Sequence, residues 1–231
     1  MSNFLSASIG RKVFMSLTGL FLISFLFIHL TLNLFLIFDD SGNLFNLAAH
    51  FMATNPIIRI MEPILALGFI IHIIWSGWIT LENMNARPIG YASGDQLLKW
   101  YAPSKNMFIL GGMIAIFLVL HILQFWVKMK VTGDPLLKVP LNMPTEAGVE
   151  MENAYALVSN LFKTSVLYDI IYILGGIFVG LHISHGFWSS FQTIGLNNIT
   201  WMKRLKFLAT FIGFVFAIGF ASIPLYFLIK F

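Results

Sequence analysis

Five apolar runs, each long enough to cross a lipid bilayer, divide this sequence almost from end to end: roughly residues 13–38, 57–81, 105–127, 165–191 and 206–229. A hydrocarbon core about 30 Å thick is spanned by about 20 apolar residues in a helix. Inside it every backbone N–H and C=O must be satisfied within the segment, which a helix achieves alone. The reading is therefore an all-α, integral membrane five-helix bundle, a single domain over residues 1–231. Only 10% of the residues are charged and 58% are hydrophobic, so little chain remains for a separate soluble domain. The first run follows Arg11-Lys12, as a signal peptide would. Its apolar stretch is too long for a signal core and no small-residue cleavage site follows, so it counts as a span.

The connections are read as loops over residues 39–56, 82–104, about 128–164 and about 192–205. Within the third, EAGVEMENAYALVSNLF has the makings of a short surface helix. Basic residues set the expected orientation. Arg11, Lys12, Arg87, Lys99, Lys105, Lys203, Arg204 and Lys206 gather at one set of helix ends, opposed there by Glu82 and Asp95 alone. The positive-inside rule places the N-terminus in the cytoplasm and, after five crossings, the C-terminus outside. The net charge of +4 and pI near 9.4 come from these loops rather than from a solvated patch, which argues against nucleic acid as a partner. There are no cysteines, which excludes disulfides, thiolate catalysis, iron–sulfur ligation and cysteine zinc sites within this chain.

Against that apolar background the histidines stand out. Four of the six fall inside spans, one on each of the first four: His29, His72, His121 and His182. With odd spans running outward and even spans inward, His29 and His121 lie roughly 16 residues from the cytoplasmic helix ends, and His72 and His182 roughly 8 to 10. The two levels differ by roughly 10 Å along the membrane normal. A lone buried histidine is commonly structural. A proton relay usually adds Asp or Glu at similar depth, and zinc wants three or four ligands at one level. Two facing imidazoles per level suit one flat, six-coordinate iron porphyrin.

Neighbouring residues fit a porphyrin site less specifically. The stretch LGGIFVGLHISHGFWSSFQTIG (Leu174 to Gly195) surrounds His182 with small residues, then suggests a bilayer exit at Trp188 and Gln192. Gly68 precedes His72 by one turn and Gly180 lies two residues before His182, where small residues open room for a ligand or for helix packing. Ser16 and Thr18 lie about three turns below His29, at the inner level, where propionates would need donors. His185 shares a face with His182 and is a second candidate partner for a propionate. His50, in the outer loop, is read as structural.

Taken together, SIGRKVFMSLTG with His29 and Asn33, ARPIGY (Ala86 to Tyr91), Ser104 with Met107 and Gly111-Gly112, and LHISHGFW around His182 resemble the cytochrome b membrane-anchor subunit of succinate dehydrogenase and fumarate reductase, in its single-subunit, five-helix, two-haem form. The resemblance spans nearly the whole chain and implies two haem b groups. His29 with His121 would hold the outer one and His72 with His182 the inner one, the same pairing as depth. It further implies a flavoprotein subunit with covalent FAD, an iron–sulfur subunit docked over the Arg87 loop and Lys203-Arg204, and menaquinone as the redox partner in a bacterial cytoplasmic membrane. A lysine that some relatives carry just after the fourth span has no evident counterpart near Thr193.

Two haems make sense if electrons cross the membrane, which puts quinone chemistry at the outer edge. Glu62, in RIMEPIL about ten residues before His72, is the candidate for its protonation, with Arg59 and Asn33 nearby. A carboxylate near a helix N-terminus is also favoured by the macrodipole alone. The competing functions are the cytochrome b subunit of another quinone-linked enzyme, of hydrogenase or formate dehydrogenase type, and a haem-free histidine-dependent transporter.

Overall fold

The computed structural model describes residues 8–86, 103–141 and 151–231, and among them the protein is all-α. Its seven helices are α1 (Ser8–Phe38), α2 (Asn43–Thr54), α3 (Pro56–Asn85), α4 (Pro103–His121), α5 (Ala154–Thr164), α6 (Val166–Ile194) and α7 (Ile199–Lys230). Arg87 and Tyr91, expected near the docking surface of a partner, lie outside the described residues.

Five helical stretches are long and apolar enough to cross a membrane: Ile9–Phe38, Pro56–Asn85, Met107–Thr132, Val166–Ile194 and Ile199–Lys230. They suggest a multi-pass membrane protein. Most of them extend past the apolar runs visible in the sequence, most of all the last, which begins at Ile199 rather than near 206. A 32-residue helix is about 48 Å long, more than the hydrocarbon core, so its flanks keep their backbone hydrogen bonds in polar surroundings. Side chains such as Ile116, Phe207 and Ile229, each at least 74% exposed, point outward. In water such faces would aggregate; against acyl chains they are in their own solvent.

Two connections differ from the sequence reading. Residues 39–56 are not a loop but hold α2, and the last connection shrinks to the turn between Ile194 and Ile199. Asp39 explains the first difference. Its carboxylate accepts from Ser41 N–H at 3.0 Å, from the Ser41 hydroxyl at 2.6 Å and from Leu44 N–H at 2.8 Å. It thereby satisfies an otherwise orphaned N–H in the first turn of α2. Gly42, at φ 76°, makes the left-handed turn into that helix, a conformation few side chains adopt. The Ser41 hydroxyl, and after it the Leu44 N–H, hold the Asp39 carboxyl below the usual carboxylate range. A lowered pKa means that this support is complete at neutral pH and is lost as pH falls through the lowered value. Asp39→Ala is expected to cost α2 about 1 kcal/mol. Amide hydrogen exchange over residues 43–54 would accelerate severalfold, while the centres of the spans remain unchanged.

The described chain divides into two compact units. One comprises Met1–Phe25, Ile64–Ala115 and Phe178–Ala217; the other comprises Leu26–Pro63, Ile116–Ile177 and Ile218–Phe231. In the first unit α6 and α7 meet at glycines: a β-carbon on Gly180 would lie 2.4 Å from the Gly213 carbonyl oxygen. Phe14 packs on Trp75 at 5.1 Å between ring centroids, and Arg11 pairs with Glu82, whose carboxylate also accepts from Trp78 Nε1 at 2.9 Å.

The second unit has a core of Leu36, Phe45, Ala154, Val158, Phe162, Tyr172, Ile223 and Phe227. The short helix expected after the third span is α5, capped by Asn153 Oδ1, which accepts from Ala156 N–H at 2.9 Å. Asn46, 2% exposed, ties α2 to α5 by donating to Asn153 Oδ1 at 3.1 Å and accepting from Tyr155 N–H at 2.8 Å. Buried amides are tolerated here because each is paired. Beyond His121 the third span leaves α geometry for two π-helical turns, Ile122–Trp126 and Lys128–Thr132.

Candidate functional site

The four intramembrane histidines fall two into each unit. His72 and His182 belong to the first; His29 and His121 belong to the second.

In the second unit the structure brings His29 and His121 into ring contact, with centroids 5.6 Å apart and planes at 84°. The pocket around them is aromatic. His29 lies against Phe220 at 6.0 Å, and His121 against Phe117, Phe125 and Tyr172 at 6.0, 5.3 and 6.0 Å. Gly175 lets Phe117 approach α6, since a β-carbon there would lie 2.6 Å from its ring. Asn33, one turn beyond His29, donates back to the His29 carbonyl at 2.7 Å rather than reaching outward. Among the described residues His121 Nδ1 is buried and has no hydrogen-bond partner. A buried unpaired nitrogen costs about 1–3 kcal/mol, so the arrangement is suited to an additional group that would engage it.

In the first unit each histidine rests on a glycine. The Cε1 atom of His72 lies 3.4 Å from the β-carbon position of Gly19, and that of His182 lies 3.6 Å from the β-carbon position of Gly111. His72 Nδ1 is 3.2 Å from Thr18 Oγ1, whereas His182 Nδ1 is buried without a partner. Among the described residues no group of three or more His, Cys, Asp or Glu side chains converges as a metal site.

The remaining candidates have local partners. Ser16 is buried and its hydroxyl donates to the Lys12 carbonyl of its own helix at 2.9 Å. His185 stacks edge-on against Trp188 at 4.8 Å, and the Lys206 ammonium lies over the same indole at 4.8 Å. Glu62, in α3 immediately before Pro63, accepts a hydrogen bond from Trp126 Nε1. Gly68 faces Phe21, and Gly180 faces Gly213 and Ala217, so their small size serves helix packing. The chain matches no known family model, no characterised protein and no solved structure.

Sequence reasoning named the four histidines but missed much of what surrounds them. Tyr172 in the His121 cage, Gly19 as a seat for His72 and Trp126 on Glu62 depend on helix rotation. Asp169 was also missed; it is 1% exposed and neither carboxylate oxygen has a hydrogen-bond partner among the described residues. A carboxylate four residues into a helix gave one signal, since acids are favoured in a first turn.

Proposed function

We propose that this chain is the dihaem cytochrome b anchor subunit of a succinate:quinone oxidoreductase, carrying electrons between an iron–sulfur subunit and membrane menaquinone in a bacterial cytoplasmic membrane. The observation that carries the reading is that the four half-buried histidines fall two into each compact unit, with His29 and His121 in ring contact. The resemblance of SIGRKVFMSLTG, ARPIGY and LHISHGFW to that family supports it from the sequence side.

The residues suit the group. His29 and His121 stand with their ring centroids 5.6 Å apart within one unit. When bound, a haem supplies a one-electron carrier whose potential its axial ligands tune. His29 with His121 would hold one such group, and His72 with His182 the other. The aromatic cage around His121 excludes water and fixes its ring. Gly19 and Gly111 border the His72 and His182 rings, 3.4 and 3.6 Å from their β-carbon positions.

Quinone reduction also takes up protons, and Glu62 is the group proposed to supply them, with Trp126 orienting its carboxylate. Glu62→Gln keeps the shape and removes the titration. It is expected to cut quinone-linked turnover at least tenfold, with both haems retained and succinate oxidation by a soluble acceptor unchanged. Normal quinone-linked turnover would remove Glu62 from the reaction.

A reduced-minus-oxidised absorbance spectrum of the purified protein tests the function itself. Two b-type haems per chain are expected, together with co-purifying flavin and iron–sulfur subunits. A flat spectrum would favour a histidine-dependent transporter. Haem with hydrogenase or formate dehydrogenase subunits in place of the flavoprotein would favour another quinone-linked enzyme.

A further inference from the structure

We infer that Thr18 is the positioning residue that fixes the tautomer of His72, an inference that rests on the dihaem reading above. Thr18 Oγ1 has three neighbours: the Phe14 carbonyl at 3.1 Å, the Met15 carbonyl at 3.0 Å and His72 Nδ1 at 3.2 Å. A hydroxyl carries one hydrogen and two lone pairs. Its hydrogen goes to the carbonyls of its own preceding turn, the back-bond that Ser and Thr make in helices. Toward His72 only a lone pair is left, so the imidazole donates and Nδ1 bears the proton. Nε2 is then the bare nitrogen, free to bind a metal.

The ring is also held in place. Gly19 follows Thr18, and the edge of His72 between the two nitrogens packs beside it, 3.4 Å from its β-carbon position. The pair Thr18-Gly19 thus sets both which nitrogen is available and where the ring sits. Metal-binding histidines commonly donate their second N–H to such an acceptor, which makes the ligand more basic. A more basic ligand favours the oxidised iron and lowers its potential. His182 has no such acceptor, since its Nδ1 is unpartnered. With a haem bound, His72 would be the stronger donor of the inner pair, and Thr18 would make the difference.

The test is a potentiometric titration of the purified complex carrying Thr18→Val, which keeps the branched shape and removes the oxygen, beside Thr18→Ser, which keeps the oxygen. In Thr18→Val the inner haem is expected to titrate at a higher potential than in wild type, with the outer haem unmoved. Thr18→Ser should match wild type. Should Thr18→Val not assemble, Thr18→Ala takes its place in the same titration. An inner-haem potential unchanged by loss of the oxygen would overturn the inference, as would an equal shift in Thr18→Ser. A chain that purifies without haem would instead overturn the dihaem reading. Nitrogen-15 NMR of its histidine rings would then decide the hydrogen bond by itself. A His72 proton on Nδ1 that depends on Thr18 upholds the assignment; a proton on Nε2 overturns it.

Discussion

His29→Leu and His121→Leu are each expected to remove one and the same haem, and His72→Leu and His182→Leu the other, so that every single variant retains half of the wild-type content. The reason lies in what a missing ligand leaves behind. The other imidazole of the pair keeps its packing, but a porphyrin held on one face loses both a bond and its fixed orientation. Leucine fills the vacated place without introducing an unpaired polar atom, so the apolar unit itself should persist. His29 and His121 are 5.6 Å apart within one unit, whereas His72 rests on α1 and His182 on α4 within the other. His50→Leu, on α2, should leave both haems in place. Spectra in which His29→Leu and His72→Leu abolish a common haem would mean that the pairing is wrong.

Gly180→Val should cause a large loss of stability in the first unit. A β-carbon there would sit 2.4 Å from the Gly213 carbonyl oxygen, 2.6 Å from the Ala217 β-carbon and 3.0 Å from the Ala217 backbone nitrogen. Two of these three are main-chain atoms, which no rotamer change can move aside. Relief requires α6 and α7 to separate, at a cost of about 3 kcal/mol or more. In membranes small residues let helices approach so closely that dispersion between backbones holds them together, and a branched side chain cancels that contact. Thermal unfolding in detergent measures the effect, and Gly77→Ala is its control. Nothing lies within 4 Å of a β-carbon on Gly77, so that change should leave the unfolding temperature the same or raise it slightly, because alanine is the better helix former. Equal behaviour of the two variants would show that the Gly180–Gly213 approach contributes nothing.

The span count and the four histidines were legible in the sequence because hydrocarbon imposes its rule on each run separately: twenty apolar residues cross whatever their neighbours do. Helix rotation was not legible. α1 exposes Leu17 and buries Ser16, the reverse of hydropathy, because lipid rewards apolar atoms on the outside as readily as on the inside. The sequence therefore offered no contrast to show that Tyr172 turns toward His121 or that Gly180 serves α7 rather than the histidine two residues on. α2 was missed for a different reason. Its run NLFNLAAHFMAT is too short to span and follows Asp39-Asp40-Ser41-Gly42, which reads as a loop. That same polar turn is what starts the helix.

The π-helical turns after His121 have a further consequence. Each residue of an α-helix advances about 100° around the axis, so accommodating one extra residue in a turn shifts everything beyond it by about that angle. The third span thus behaves as two joined screws with separate threads. Before the join the helix carries His121 toward its aromatic cage and His29; Trp126, which closes the first π turn, reaches Glu62. One helix can satisfy both targets because the join uncouples them. Substitutions that alter the reach of Trp126 can accumulate without turning the histidine away from its partner.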